Sequence, residues 1–213
     1  MNLFYKNPAI SFLVLLLLNF LLIYITERYI LTVDFYESSG DIFSGIPGKD
    51  TSVYQALQKW IYFSSAVYLI LKLGTISLII YTALQFNSRE VTFRNVLKIT
   101  ILAEYLFLVP AAIKIVTFHY TFEHATLLDW HKYYILSAIS LFNNVPADWA
   151  YALQSFNAIE IGYWFLLGYG IHKITMLSFD QSLRVVITSY VPALVIWIVT
   201  VSFFTLVMFP TTG

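Results

Sequence analysis

The sequence predicts an all-α fold, a polytopic membrane helix bundle with about five transmembrane helices and one short interfacial or re-entrant helix. Composition and run length carry that prediction. Of 213 residues, 59% are hydrophobic and only 11% are charged, whereas soluble domains carry roughly 25% charged residues. Such a chain cannot cover a water-facing surface of ordinary polarity, so its solvent is largely lipid. Five long apolar runs stand along it, each close to the roughly 20 residues that a helix needs to cross the hydrocarbon core. The short alternating segments of a membrane β-barrel are absent. Because these runs use most of the length, residues 1–213 read as a single transmembrane domain.

The first span covers 9–32 and is richest in leucine at 13–18. A secretory signal has a shorter apolar region ending at a small-residue cleavage site. Here the run leads into Thr26-Glu27-Arg28-Tyr29, so a permanent span is expected. The second covers 61–86, interrupted only by Lys72, and the third covers 96–118 with Lys98, Glu104 and Lys114. The fourth, 149–171, contains Glu160, and the fifth, 185–209, has no charge. Residues 133–142 are apolar over ten positions only, preceded by Asp129, Trp130, His131 and Lys132. Runs that short suit an interfacial or re-entrant segment. The glycines and proline of 40–50 mark a turn-rich loop tip.

Basic residues orient the bundle. Lys6, Arg89, Arg94, Lys98, Lys173 and Arg184 fall on the side of the N-terminus, against Arg28, Lys49, Lys59 and Lys132 on the other. Lys and Arg concentrate in cytoplasmic loops, which predicts a cytoplasmic N-terminus and a C-terminus outside. Net charge is zero, so no nucleic-acid partner is implied. The expected partners are the lipid bilayer and other membrane subunits or a second copy. With no cysteine, disulfides, thiolate metal sites and a Cys nucleophile are excluded.

Four ionisable residues lie within spans: Lys72, Glu104, Lys114 and Glu160. A charge at bilayer depth costs on the order of 3 kcal/mol and usually faces a partner or water. Lys72 and Glu160 fall near the middle of their runs and Glu104 within about a turn of its own middle, so Lys72 can pair with either acid. Glu104 and Lys114 stand roughly 15 Å apart along one helix and cannot meet; Lys114 can reach outward to the interface. An ion-paired lock that fixes helix packing and a proton or ion relay both fit these four. Pro110 and Pro192 are candidate helix breaks, although packed spans tolerate proline.

A second constellation is His119, Glu123, His124 and His131. His119 and Glu123 share a helical face at i and i+4, which suits two ligands of a divalent metal, but no H-E-x-x-H or repeated His box accompanies them. Neither a P-loop, a G-x-S-x-G elbow nor a Gly-rich dinucleotide turn is present, and no cofactor is expected. Gly162, Gly168 and Gly170, with Ser155 at the start of the fourth span, form a small-residue face that allows close helix approach. Packing within the chain or between copies would use it.

The stretch 155–199 combines a short polar start (Ser155, Asn157), a helix with Trp164, Gly168 and Gly170, a turn with Ser178 and Ser182, and an uncharged helix with Pro192 and Trp197. It resembles the closing two helices of Yip1-type membrane proteins, as does the five-span layout. That resemblance implies a small non-enzymatic membrane protein acting in trafficking, as a scaffold or as a permease-like component. The residues themselves leave open a membrane-complex subunit, a small transporter or ion-conducting subunit, and a metal-dependent membrane enzyme.

Overall fold

A computed structural model describes residues 7–32, 35, 51–86, 90–121, 126–142, 145 and 147–208, with side chains described for all of these except 51–58, 127, 128, 147 and 148. The loop tip at 40–50 lies outside them. The helices in order are α1 (Pro8–Tyr29), α2 (Thr51–Phe86), α3 (Phe93–Glu104), α4 (Leu108–Thr121), α5 (Leu127–Lys132), α6 (Ala147–Ser155), α7 (Ala158–Ile174) and α8 (Phe179–Met208). Single 3₁₀ turns occupy Tyr105–Phe107 and Ala138–Leu141. Among the described residues the only β feature is an isolated bridge between Ser137 and Asn157.

Among the described residues, four helical stretches are long and apolar enough to cross a membrane: Pro8–Tyr29, Lys59–Phe86, Phe93–Thr121 and Phe179–Met208. The expected fourth span, 149–171, is not continuous. α6 ends at Ser155, and Asn157 adopts an extended backbone that caps α7, its Oδ1 accepting from the Glu160 amide at 2.7 Å. An Asn at the cap with Glu three residues on is a helix-start signature, and hydropathy alone passes over it. Two consequences follow: Ser155 closes a helix instead of opening one, and Glu160 occupies the first turn of α7 instead of mid-helix.

The segment that packs against this break is the one expected to be an interfacial or re-entrant helix. Residues 133–142 instead bend back against the α6–α7 junction. The Ala138 amide donates to the Phe156 carbonyl at 2.8 Å, and the Ala158 amide to Leu136 at 3.0 Å. Ser137 Oγ donates to the Leu153 carbonyl at 2.9 Å, and Leu136 is held at φ 55. A branched residue in the left-handed region is strained, and these bonds hold it there. The short helix lies just before, as α5, opened by a reciprocal Thr126–Asp129 capping box.

Proline separates α3 from α4. Pro110 has no amide hydrogen to offer the Leu106 carbonyl, and the chain tightens into the 3₁₀ turn at Tyr105–Phe107 immediately after Glu104. Pro192 sits inside α8, which nonetheless runs through it. The main core joins α2, α3, α7 and α8 through Ile80, Leu84, Val96, Leu167, Ile171 and Val186. A smaller one brings α1 in through Leu15 against Leu69, Leu73 and Ile101. Two polar contacts pin α1: Tyr105 Oη donates to the Ser11 carbonyl at 2.6 Å, and Tyr62 Oη to Glu27 Oε2 at 2.9 Å.

Candidate functional site

The polar residues of four helices converge where α3 ends and α7 begins. Lys72 on α2 places Nζ 2.6 Å from Glu104 Oε1. Of the two acids within reach by sequence, the structure pairs Lys72 with Glu104. The Glu104 side chain is 6% exposed and that of Lys72 21%, so the pair is largely out of water, where Coulomb attraction is strong and an unmatched charge expensive. The ammonium also lies 3.9 Å from the Phe107 ring centroid and 5.8 Å from that of Tyr163, within cation–π range.

Glu160 is satisfied differently. Its Oε1 accepts from Tyr190 Oη on α8 at 2.7 Å and from Trp164 Nε1 one turn along α7 at 3.1 Å. Its place in the first turn sets the carboxylate where the α7 amides and dipole favour a negative charge. Tyr163, fully buried, packs its ring 5.1 Å from Phe107 and 5.8 Å from Tyr190. Tyr163 Oη and Glu104 Oε2 are both buried without a completed hydrogen bond. Buried polar atoms are nearly always partnered, so these two are the unresolved part of the cluster.

Lys114 takes no part in it. Its Nζ donates to the Trp130 carbonyl at 2.8 Å and lies 4.2 Å from the Trp130 ring and 5.0 Å from that of Tyr134. The outward reach expected of this side chain therefore ends on α5, where it caps a C-terminal carbonyl and fastens the loop to α4. Nearby, Asp129 accepts from the Thr126 hydroxyl and amide, bonds that hold its carboxyl below the usual range.

Two of the four candidate metal ligands fall among the described residues. His119 is exposed at the end of α4 and His131 at the end of α5; Glu123 and His124 lie outside the described residues. Among the described residues no three His, Asp or Glu side chains gather as a metal site. The three glycines face three neighbours. A Cβ at Gly162 would stand 3.2 Å from Leu106 Cδ2, and one at Gly168 3.2 Å from Leu183 Cα. At Gly170 it would overlap Ile99 Cγ2, so α7 and α3 can cross there only without a side chain on α7.

Sequence reasoning missed Tyr163, Tyr190 and Trp164. The i, i+3, i+4 spacing of Glu160, Tyr163 and Trp164 on one helical face was the available signal; nothing in the sequence pointed to Tyr190. Comparison with protein-family models, with curated proteins and with solved structures finds no match.

Proposed function

We propose that this chain is a five-crossing, non-enzymatic membrane protein that works as a scaffold, trafficking or membrane-complex subunit, with its N-terminus cytoplasmic and its C-terminus outside. The observation that carries this reading is how the intramembrane charges are used. Lys72 is tied to Glu104, Glu160 to Tyr190 and Trp164, and Lys114 to Trp130. Apart from the Glu160–Trp164 bond within α7, each of these joins one helix to another, so the polar residues hold the bundle together. The helix faces are then the remaining surface for a partner. α1 and α8 present theirs most fully, through Leu13, Leu17 and Leu21 and through Ile196, Phe203 and Val207. The resemblance of 155–199 to the closing helices of Yip1-type proteins belongs to the same reading. Extraction in mild detergent followed by native mass measurement tests it. A self-assembly or a stoichiometric membrane partner is expected, and a strictly monomeric, partner-free chain overturns it.

The fifth crossing is α7. Its 17 residues span about 25 Å at 1.5 Å per residue, at the short end of crossing helices, and it packs between α3 and α8. The contact of Gly170 with Ile99 sets Lys173 and Arg184 at the same end of the bundle as Arg94 and Lys98, the grouping that the positive-inside rule associates with the cytoplasm. Because the chain has no cysteine, Met176→Cys and His131→Cys can be labelled singly with a membrane-impermeant thiol reagent. Labelling from opposite sides is expected; labelling from one side overturns the α7 crossing.

A proton-conducting or transport role is the second reading, favoured by one observation: Glu104 and Glu160 each sit at a helix end, beside the unpartnered Tyr163 hydroxyl. Transporter sites are commonly built at such interruptions. Proton or ion flux in liposomes that Glu160→Gln abolishes would establish it, and absence of flux in the parent protein would remove it.

A further inference from the structure

Beside the Gly170–Ile99 crossing, α3 and α7 leave an open groove of about 200 Å³. Ile99, Leu102 and Ala103 line one wall, and Leu166 and Tyr169 the other, with Lys173 at its end. These walls belong to helices in the part of the molecule that lipid surrounds, and an apolar surface there takes hydrocarbon in preference to water. The polar end differs in kind. Lys173 is exposed in the last turn of α7, its Nζ 5.2 Å from the Tyr169 ring, and among the described residues no carboxylate pairs with it.

The surroundings of that end are basic. Arg94 and Lys98 on α3, Lys173 on α7 and Arg184 on α8 outnumber Glu90 and Asp180. An apolar trough that terminates in an unpaired ammonium within a basic rim matches one molecular shape: a hydrocarbon chain joined to an anion. We propose that this groove binds one anionic phospholipid, with an acyl chain along Leu102, Ala103 and Leu166 and the phosphate on Lys173. Zwitterionic lipids offer the same chain and phosphate but bring their own cation, which weakens the attraction to Lys173 and meets repulsion from the rim. Basic pockets between spans recognise anionic headgroups by this balance. The inference rests on the chain lying in a bilayer and on the groove's lining, and not on any partner proposed above.

Native mass spectrometry of the detergent-purified full chain, titrated with phosphatidylglycerol or phosphatidylcholine of identical acyl chains, tests the proposal. One phosphatidylglycerol should be retained per chain, with about fivefold preference over phosphatidylcholine, the value expected for one lysine at a membrane surface. Lys173→Gln should remove the preference, whereas Lys132→Gln, an exposed lysine of the α5 loop, should leave it intact. Leu166→Trp narrows the groove from its exposed wall and should weaken retention of both lipids alike. Equal retention of the two lipids by the parent protein overturns the proposal. So does a preference that survives Lys173→Gln, or retention unchanged by Leu166→Trp.

Discussion

Replacing Lys72 by Met isolates the ion pair between α2 and α3. The substitution keeps most of the side-chain volume and removes the ammonium that lies 2.6 Å from Glu104 Oε1 and 3.9 Å from the Phe107 ring. Losing one partner of a buried ion pair costs about 3–5 kcal/mol. Reversible SDS unfolding at pH 7, followed by circular dichroism, measures the loss. The double variant Lys72→Met, Glu104→Gln should recover much of the loss at pH 7, and Lys72→Met, Glu160→Gln should not, because Glu160 already has Tyr190 and Trp164. A loss under half a kcal/mol, or better recovery with Glu160→Gln than with Glu104→Gln, would refute the assigned pairing.

Other perturbations probe the neighbouring contacts. Tyr190→Phe removes the donor to Glu160 Oε1 and should cost about 1–3 kcal/mol, read in the same unfolding experiment; a loss under half a kcal/mol would mean that the bond is not made. Asn157→Ala deletes the α7 cap and should cost about 1 kcal/mol, with Asn157→Ser largely retaining stability. Gly170→Ala drives a methyl into Ile99 and should cost about 1–3 kcal/mol by overpacking; Ile99→Ala in the same chain should recover part of that, and additive losses would contradict the close crossing. Lys114→Met severs the tie to Trp130 and should raise proteolysis within the loop that follows α4, with little change in global unfolding.

The all-helical membrane character was legible without coordinates, because run length and the scarcity of charge in this chain admit no other way to satisfy backbone groups in lipid. The four intramembrane charges stood out for the same reason: each is costly where the hydropathy is highest. Hydropathy, however, averages over the backbone. The stretch 149–171 is apolar on average despite Gln154, Ser155 and Asn157, so its break was invisible to that average, although the Asn157-x-x-Glu160 cap was written in the residues. Leu136, Ser137 and Ala138, which lie some twenty residues earlier, supply hydrogen bonds to the junction.

Which acid meets Lys72 was likewise undecided by depth. Glu104 and Glu160 offered the same charge at similar height along their runs, and nothing local distinguishes them. The choice came from rotation and neighbours: α3 turns Glu104 toward α2, whereas Glu160, moved to the first turn of α7 by the cap, meets Tyr190 across thirty residues of chain. The sequence by itself determined that this chain lives in lipid, that it is helical and that its few charges must find partners, since these follow from transfer free energies summed along the chain. Only the tertiary structure decided which charges pair and where a groove opens beside Lys173. Those outcomes depend on contacts between residues distant in sequence, and no local property of either partner encodes them.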